Sequence, residues 1–586
     1  MKQFFKYVLA TIVGSIILMI IFFMVFAGIV ASSSKKSVVK VKDHTVVKLK
    51  LNYYINDQTD ENPFAKFTAG LDGNKTSALG LYDLLETIEH AKNDKKVDGL
   101  FLDLSSVVAG YGKLGELREA LNDFKTSGKF IYAYGEIFYN NSYYIASVAD
   151  KVYLNPSGTM IFNGMAADVT FVKETLAKLG VEMQAVKKGK YKGYVEPFVL
   201  DEMSAENRKQ ITEYLNSTYN HFLSQISASR GVSVDELKNI ADSIRVRTPE
   251  DAVHYKMIDA TGYRDEVMTA LKTQVGLKEE EKLEMLEVGK YHSTVSEKKS
   301  KTQDKIAIIY ADGSIVSGKG SSDEIGSDKF AKVLKKARED KNVKAVVLRV
   351  NSPGGSAMAS DVIWRETKLL RDAKPLIVSM GDVAASGGYF ISCNADSILA
   401  MPGTLTGSIG VFGMYPNAQK LWDKLGLKSE VVKTSDMADF GRIDRPLTNA
   451  ERLILEQNVD KIYTDFLTRV SEGRKLERTH LDTIAEGRVW TGDMAKGIGL
   501  IDEFGGIEKA IAIAAYKAHL KEYKVTTYPK SDNPFGQFME AFGAASVKEN
   551  LVKEELGDYY GVYQQLKDLK SMNGIQAVMP YMLEIR

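Results

Sequence analysis

VKAVVLRVNSPGGS, residues Val343–Ser356, is the stretch on which the fold turns. Its first eight residues form a short apolar run that reads as a strand buried on both faces, and NSPGGS after it is a glycine-rich turn. Just upstream, KFAKVLKKARED puts Phe330, Leu334 and Ala337 at helical spacing. Downstream come a helical stretch around Val362–Leu370 and a second buried strand, PLIVSMG. Strand–helix–strand order with continuous apolar strands predicts α/β units on a mainly parallel sheet.

The same stretch occurs twice. VDGLFLDL at Val97–Leu104 reads like VKAVVLRV at an offset of 246, and that offset also pairs Gly135 with Gly381, Tyr143 with Tyr389, Asp150 with Asp396 and Pro156 with Pro402. It still holds where Lys178-Leu179-Gly180 meets Lys424-Leu425-Gly426, and slips to 244 where Tyr219–Leu223 meets Tyr463–Leu467. A period this long marks a duplicated domain, not a solenoid repeat. VVKLKL (Val46–Leu51) and IAIIY (Ile306–Tyr310) open the two copies as strands. The expected organisation is an anchor at 1–43, a first copy at 44–289, a charged linker at 290–304, a second copy at 305–528 and an extension at 529–586. The extension has helical pieces such as VKENLVKEELGDYYGVYQQLKDLKSM, no usable motif and no role readable from its residues.

Composition narrows the function classes. A chain of 586 residues is too long for one core. The balance of 77 basic against 76 acidic residues gives no reason to expect a nucleic-acid partner. Cys393, alone, can form neither an internal disulfide nor a thiolate metal site, and the seven histidines have no ligand spacing, so no metal or other cofactor is expected. Tyr7–Ala31 is an uncharged run of 25 residues. About 20 residues cross a bilayer, and a cleaved signal peptide has a shorter apolar region, so this run reads as a retained single-pass anchor. Lys2 and Lys6 favour a cytoplasmic N-terminus; Lys35, Lys36, Lys40 and Lys42 oppose them, and charge alone leaves orientation open. Everything from about residue 45 is expected to be soluble and on one side.

Duplication makes each copy a control for the other. The second copy has NSPGGS where the first has SSVVAG (Ser105–Gly110), and VAASGGYF (Val383–Phe390) where the first has IFYNNSYY. Ser386 thus faces Asn140, Gly387-Gly388 face Asn141-Ser142, and Ser408 faces Phe162. Conversely, Lys192 in KKGKYKGYVEPF faces Ala438. One copy keeps a glycine-flanked serine and lacks the lysine; the other keeps the lysine and lacks the serine. A serine hydroxyl needs a base, and a lysine whose pKa is lowered by burial can be one. Ser386 is the candidate nucleophile and Lys192 the candidate base, with Ser408 placed to orient the amine. The N–H of Gly387 and the Gly354-Gly355 turn, Gly355 preferred, are candidates for an oxyanion hole, because glycine lets a backbone amide approach closely. Tyr191, Glu196 and Pro197 read as structural, and Cys393 as a small buried residue.

YKGYVEPF (Tyr191–Phe198), NSPGGS (Asn351–Ser356), MGDVAASGGYFIS (Met380–Ser392) and TLTGSIGVFG (Thr404–Gly413), in this order, resemble the long-form signal peptide peptidase A family, protease IV. The resemblance runs from the anchor to about residue 525, departing at Asp382, where a glycine is common, and in the longer tail. It implies tandem Clp-protease/crotonase-like domains of repeated β-β-α units after one transmembrane helix, and a Ser–Lys dyad carried by Ser386 and Lys192. It also implies a homotetramer in the bacterial inner membrane with the catalytic part on the periplasmic side, degrading remnant signal peptides. Two other classes compete with this one. A crotonase-like acyl-CoA enzyme would need a nucleotide phosphate site, and no GxxxxGK[ST] loop occurs. A non-catalytic peptide-binding membrane scaffold would predict decay of both special positions, whereas each survives in one copy.

Overall fold

Apolar strands that cannot face water on either side force each copy to sandwich a parallel sheet between helices. The computed structural model describes residues 3–4, 6–7, 9–18, 21, 39–59, 79–295, 302–321, 323–528 and 574–579. The first half is built on β1 (Thr45–Lys50), β2 (Val97–Asp103), β3 (Phe130–Phe138), β4 (Lys151–Met160), β6 (Ala260–Thr261) and β7 (Met285–Glu287). Their order is β6-β4-β3-β2-β1-β7, with every neighbouring pair parallel.

The second half repeats the plan with β8 (Lys305–Asp312), β11 (Val343–Ser352), β13 (Leu376–Ala385), β14 (Ser397–Ala400), β15 (Leu405–Gly407), β17 (Val489–Thr491), β18 (Glu503–Phe504) and β19 (Lys524–Tyr528). Here the order is β17-β15-β13-β11-β8-β19, with β14 beside β13 and β18. Only the β15–β17 pair is antiparallel. The expected helix at KFAKVLKKARED spans Ser327–Glu339 and buries Phe330, Leu334 and Ala337. The helix expected around Val362–Leu370 spans Ala357–Ala373.

A third sheet belongs to neither copy alone. β5 (Glu182–Lys188), from the first half, pairs antiparallel with β16 (Val411–Asn417), from the second, along its whole length. With β9 (Ser314–Val316), β10 (Glu324–Gly326), β12 (Gly354–Ser356) and β20 (Gln576–Val578), it forms a six-stranded sheet of order β10-β9-β12-β20-β16-β5.

The two copies share a core. Strand period places Ala345 and Val347 on one face of β11, where they join a buried cluster made mostly by the first half, while Val346, Leu348 and Val350 face the second half's own cluster. Arg349 lies on the face turned toward the first half and is almost fully buried. Its guanidinium meets Asp57 and Glu116, each at 2.7 Å, and Lys113 lies 3.4 Å from Asp57 and 3.6 Å from Asp382. Asp382, the departure from the family pattern, also accepts the backbone N–H of Gly110 and of Lys113 at 3.1 and 2.9 Å. Asp382 therefore ties the two halves together.

The expected anchor at 7–31 lies largely outside the described residues; within it, residues 9–18 are helical. Among the described residues no helix is long and apolar enough to cross a membrane. The helical pieces expected in the extension fall at 547–572, also outside the described residues.

Candidate active site

Ser386 directly follows β13 and stands at the N-cap position of the short helix Gly387–Ser392. Its backbone sits at φ 54°, ψ −114°, a conformation that costs a non-glycine residue of the order of 1–3 kcal/mol and persists only where neighbours impose it. Those neighbours are visible: the Ser386 N–H donates to the Gly407 carbonyl at 2.8 Å, and the Phe390 N–H donates to the Ser386 carbonyl at 2.8 Å. The side chain caps nothing, which leaves Oγ to another partner.

That partner is Lys192. Its Nζ lies 2.7 Å from Ser386 Oγ, 2.9 Å from Ser408 Oγ and 3.1 Å from the Ser408 carbonyl oxygen. All three residues are fully buried. Burial pushes the Lys192 ammonium well below the usual lysine value, with no neighbouring charge contributing. Lys188 and Lys190 turn outward to Asp460 and Glu486, and Lys187, partly exposed, lies 3.7 Å from the buried Glu196 carboxylate. A run of lysines thus sends one member into the interior. Ser408 also has positive φ, 50°, and its N–H donates to the Arg488 carbonyl at 2.7 Å.

The lysine arrives by a crossing between the halves. After β5 the chain turns at Gly189 (φ 103°), where a Cβ would meet the Glu486 carbonyl oxygen at 2.4 Å. The Tyr191 N–H then donates to that same carbonyl at 3.0 Å, and Gln210 Nε2 donates to the Tyr191 carbonyl at 2.8 Å. Gly487 (φ 80°) allows the close fit, because a Cβ there would stand 2.9 Å from the Lys192 nitrogen. Glu196 anchors the following turn: its buried carboxylate accepts from Ser204 N, Ser204 Oγ and Asn207 Nδ2 at 3.1, 2.6 and 3.0 Å. Sequence reading left Glu196 as structural and passed over Gly487. A glycine between two charged residues, EGR, offers no signal of its own.

The glycines of NSPGGS stand opposite Ser386. Gly354 has φ 105° and Gly355 φ 157°, and a Cβ on Gly354 would lie 2.7 Å from the Gly387 nitrogen. The Gly387 amide and the Gly354 backbone therefore lie side by side next to the serine, with the Gly354 N–H donating to Ser352 Oγ at 3.2 Å. A fully buried amine, its basicity lowered by burial, on a strained serine hydroxyl and beside the Gly387 amide is equipped for acyl transfer: a base, a nucleophile and a donor for an oxyanion. Lys192, Ser386 and Ser408 are thus brought together, with Gly387 and Gly354 side by side next to them. Their counterparts are not: Asn140 hydrogen-bonds the Gly164 carbonyl, Phe162 packs on Tyr143 and Phe222, and Ala438 lies exposed.

Fold and site define a serine hydrolase of α/β architecture. The Peptidase family S49 model matches residues 123–278 and 368–521, once in each half, and the Clp protease model matches residues 297–405. Protease 4 of Salmonella typhi is 35% identical over 80% of this chain and 77% of its own length. Protease 4 of Haemophilus influenzae is 33% identical over 82% and 80% respectively. The chloroplastic serine protease SPPA of Arabidopsis thaliana is 33% identical over 84% and 72%. The chain belongs to peptidase family S49 and is a serine peptidase of the SppA type, with a Clp-protease-like α/β fold in two S49 domains.

Proposed function

We propose that this peptidase is an endopeptidase of hydrophobic peptides, remnant signal peptides above all, held at the bacterial inner membrane by residues 7–31 with its catalytic part on the periplasmic side. Ser386 is the nucleophile and Lys192 the general base. The observation that carries the assignment is the 2.7 Å contact between a fully buried amine and a serine hydroxyl. Lys192 Nζ, neutral through burial, takes the Ser386 proton as Oγ attacks the peptide carbonyl. The N–H groups of Gly387 and Gly355 receive the developing oxyanion. The proton passes to the leaving amine, and water, deprotonated by the same lysine, hydrolyses the acyl-enzyme. Ser408 holds the amine in line.

The uncharged run from Tyr7 to Ala31 supports the anchor. A homotetramer, as in the family resemblance, would cover apolar side chains that stand exposed on one excursion of the second half, Leu425, Leu427, Val432 and Phe440.

The test is cleavage of a hydrophobic signal-peptide substrate across pH. Because the neutral amine is the active form, kcat/KM rises with pH through the depressed lysine pKa and levels off above it. Lys192→Ala, folded, removes cleavage at every pH. Near-normal activity in that variant places the base elsewhere and sinks the assignment.

A further inference from the structure

Residues 486–490, EGRVW, bear on Lys192, Ser386 and Ser408 together. The Glu486 carbonyl accepts the Tyr191 N–H at 3.0 Å, Gly487 packs on Lys192, and the Arg488 carbonyl accepts the Ser408 N–H at 2.7 Å. The Val489 N–H donates to Gln210 Oε1 at 3.1 Å, and Gln210 Nε2 in turn donates to the Tyr191 carbonyl at 2.8 Å. Trp490 pairs with Thr406 on β15, and a Cβ on Gly407 would stand 2.7 Å from its ring. Gly407 is the residue whose carbonyl holds the Ser386 N–H. One short segment thus sets the places of the amine, of Ser408 and of the nucleophile. Glu486 (φ 54°) and Ser408 (φ 50°) both hold left-handed backbone, which persists only where neighbours impose it.

The Arg488 side chain fastens that segment. Its guanidinium lies 5.2 Å from the centre of the Tyr191 ring and 4.0 Å from that of Trp490, and its Nη2 donates to Glu213 Oε2 on the helix Ala205–Arg230. Tyr191 and Glu213 belong to the first half, Arg488 and Trp490 to the second, so the contacts span the seam that the lysine crosses. A planar, weakly hydrated cation is suited to this place, since it stacks on rings while giving its N–H groups to a carboxylate. The other copy supplies a control. At an offset of 243, RVRT at Arg245–Thr248 faces RVWT at Arg488–Thr491, so the arginine is kept and the tryptophan is replaced by Arg247. Arg247 is exposed, and Arg245 pairs at 3.2 Å with Glu236, both side chains 40% exposed. The arginine that is a surface ion pair in the half without the serine is set between two rings in the half with it.

We propose that Arg488 is a positioning residue for the reaction: held by Tyr191, Trp490 and Glu213, it clamps residues 486–490 across the two halves and keeps the Lys192 amine in line with the Ser386 hydroxyl. The proposal rests on the Ser386–Lys192 reading above. Proton transfer needs the 2.7 Å contact between the two groups, and a misplacement of about 1 Å at a reacting pair costs about 10²-fold in rate. Because the clamp acts on the reacting groups, its loss falls on kcat. It also closes the seam over a fully buried amine. Water admitted there relieves the burial that lowers the lysine's basicity, so the amine holds its proton to higher pH and the rise in rate moves upward with it.

Cleavage of a hydrophobic signal-peptide substrate by the full chain tests this, with kcat and KM measured across pH for wild type and Arg488→Met and folding followed by circular dichroism. The expected result is a fall in kcat of about 10²-fold with KM within about twofold, and a pH profile whose midpoint moves up. Should Arg488→Met not fold, Glu213→Gln takes its place: a smaller fall in kcat with the same upward midpoint supports the clamp, and wild-type values of both overturn it. Arg488→Met that folds and keeps wild-type kcat and midpoint overturns the proposal and leaves the dyad standing. A loss that tracks the unfolded fraction at an unchanged midpoint assigns Arg488 to stability, and a loss confined to KM assigns it to substrate binding; either overturns the proposal. Cleavage that survives Lys192→Ala overturns both readings.

Discussion

The serine corner of the second half and its counterpart in the first share a frame and differ in what fills it. Tyr389 Oη donates to the Leu500 carbonyl at 2.8 Å, and Tyr143 Oη to the Met257 carbonyl at 2.7 Å. Asp396 accepts the Leu376 N–H as Asp150 accepts that of Ile131, and Arg474 pairs with Asp502 as Arg230 pairs with Asp259. Inside this frame, the second half holds a strained serine, two glycines and a captured lysine. The first holds Asn140 bonded to the Gly164 carbonyl, Ser142 bonded to the Tyr139 N–H, and an aromatic stack of Phe162, Phe222 and Tyr144. The frame is what folding needs. The contents are free to differ, so one copy keeps a reactive corner while the other packs it shut.

Ser386→Ala tests the comparison most severely. Peptide cleavage is expected to fall by about 10³-fold or more, while Asn140→Ala at the matched position leaves it within about twofold of wild type. Equal losses from the two, measured as kcat/KM, would mean that the first half's corner also takes part in the chemistry.

The strand positions Asp103 and Arg349, matched at the same offset, differ almost as much in stability. Arg349 is buried between Asp57 and Glu116, so Arg349→Met leaves two carboxylates without their main partner and is expected to cost about 3–5 kcal/mol. Asp103 pairs with Arg264, whose side chain is 45% exposed, and Arg264→Met should cost about 1 kcal/mol or less once solvent screening is counted. Urea unfolding of both variants measures the contrast; equal costs would contradict the reading of Arg349 as the bolt between halves.

The smallest effect belongs to Ser408, matched by Phe162. Ser408→Ala removes one hydrogen bond to the Lys192 amine and keeps the carbonyl contact. A loss of about 1.4 kcal/mol, about tenfold in kcat/KM, is expected. Because that bond orients the amine, the loss should fall on kcat more than on KM; a change confined to KM would assign Ser408 to substrate binding.

Much of the site was legible because the chain carries an internal control. Matching the copies singled out Ser386, Lys192, Ser408 and the paired glycines, since each is present in one copy and absent from the other. Gly487 and the Glu196 network escaped that comparison, for they support the lysine through backbone contacts that no side-chain pattern announces. Residues 574–579 escaped it as well: GIQAVM carries no pattern of its own, and its place comes from the strands β12 and β16 between which it lies.

The sequence alone determined the duplicated α/β plan, because apolar period and internal repetition are local properties that survive in one dimension. It also determined which groups were available for chemistry. Only the tertiary structure decided that a lysine 194 residues from its serine would lie within a hydrogen bond of it, that Arg349 would bolt the halves together, and that the C-terminal segment would lie on Gly355. Those contacts depend on β5 crossing to the other copy's strand and on burial that strips water from one amine among several. Both are outcomes of packing two halves against each other, and no spacing within either half encodes them.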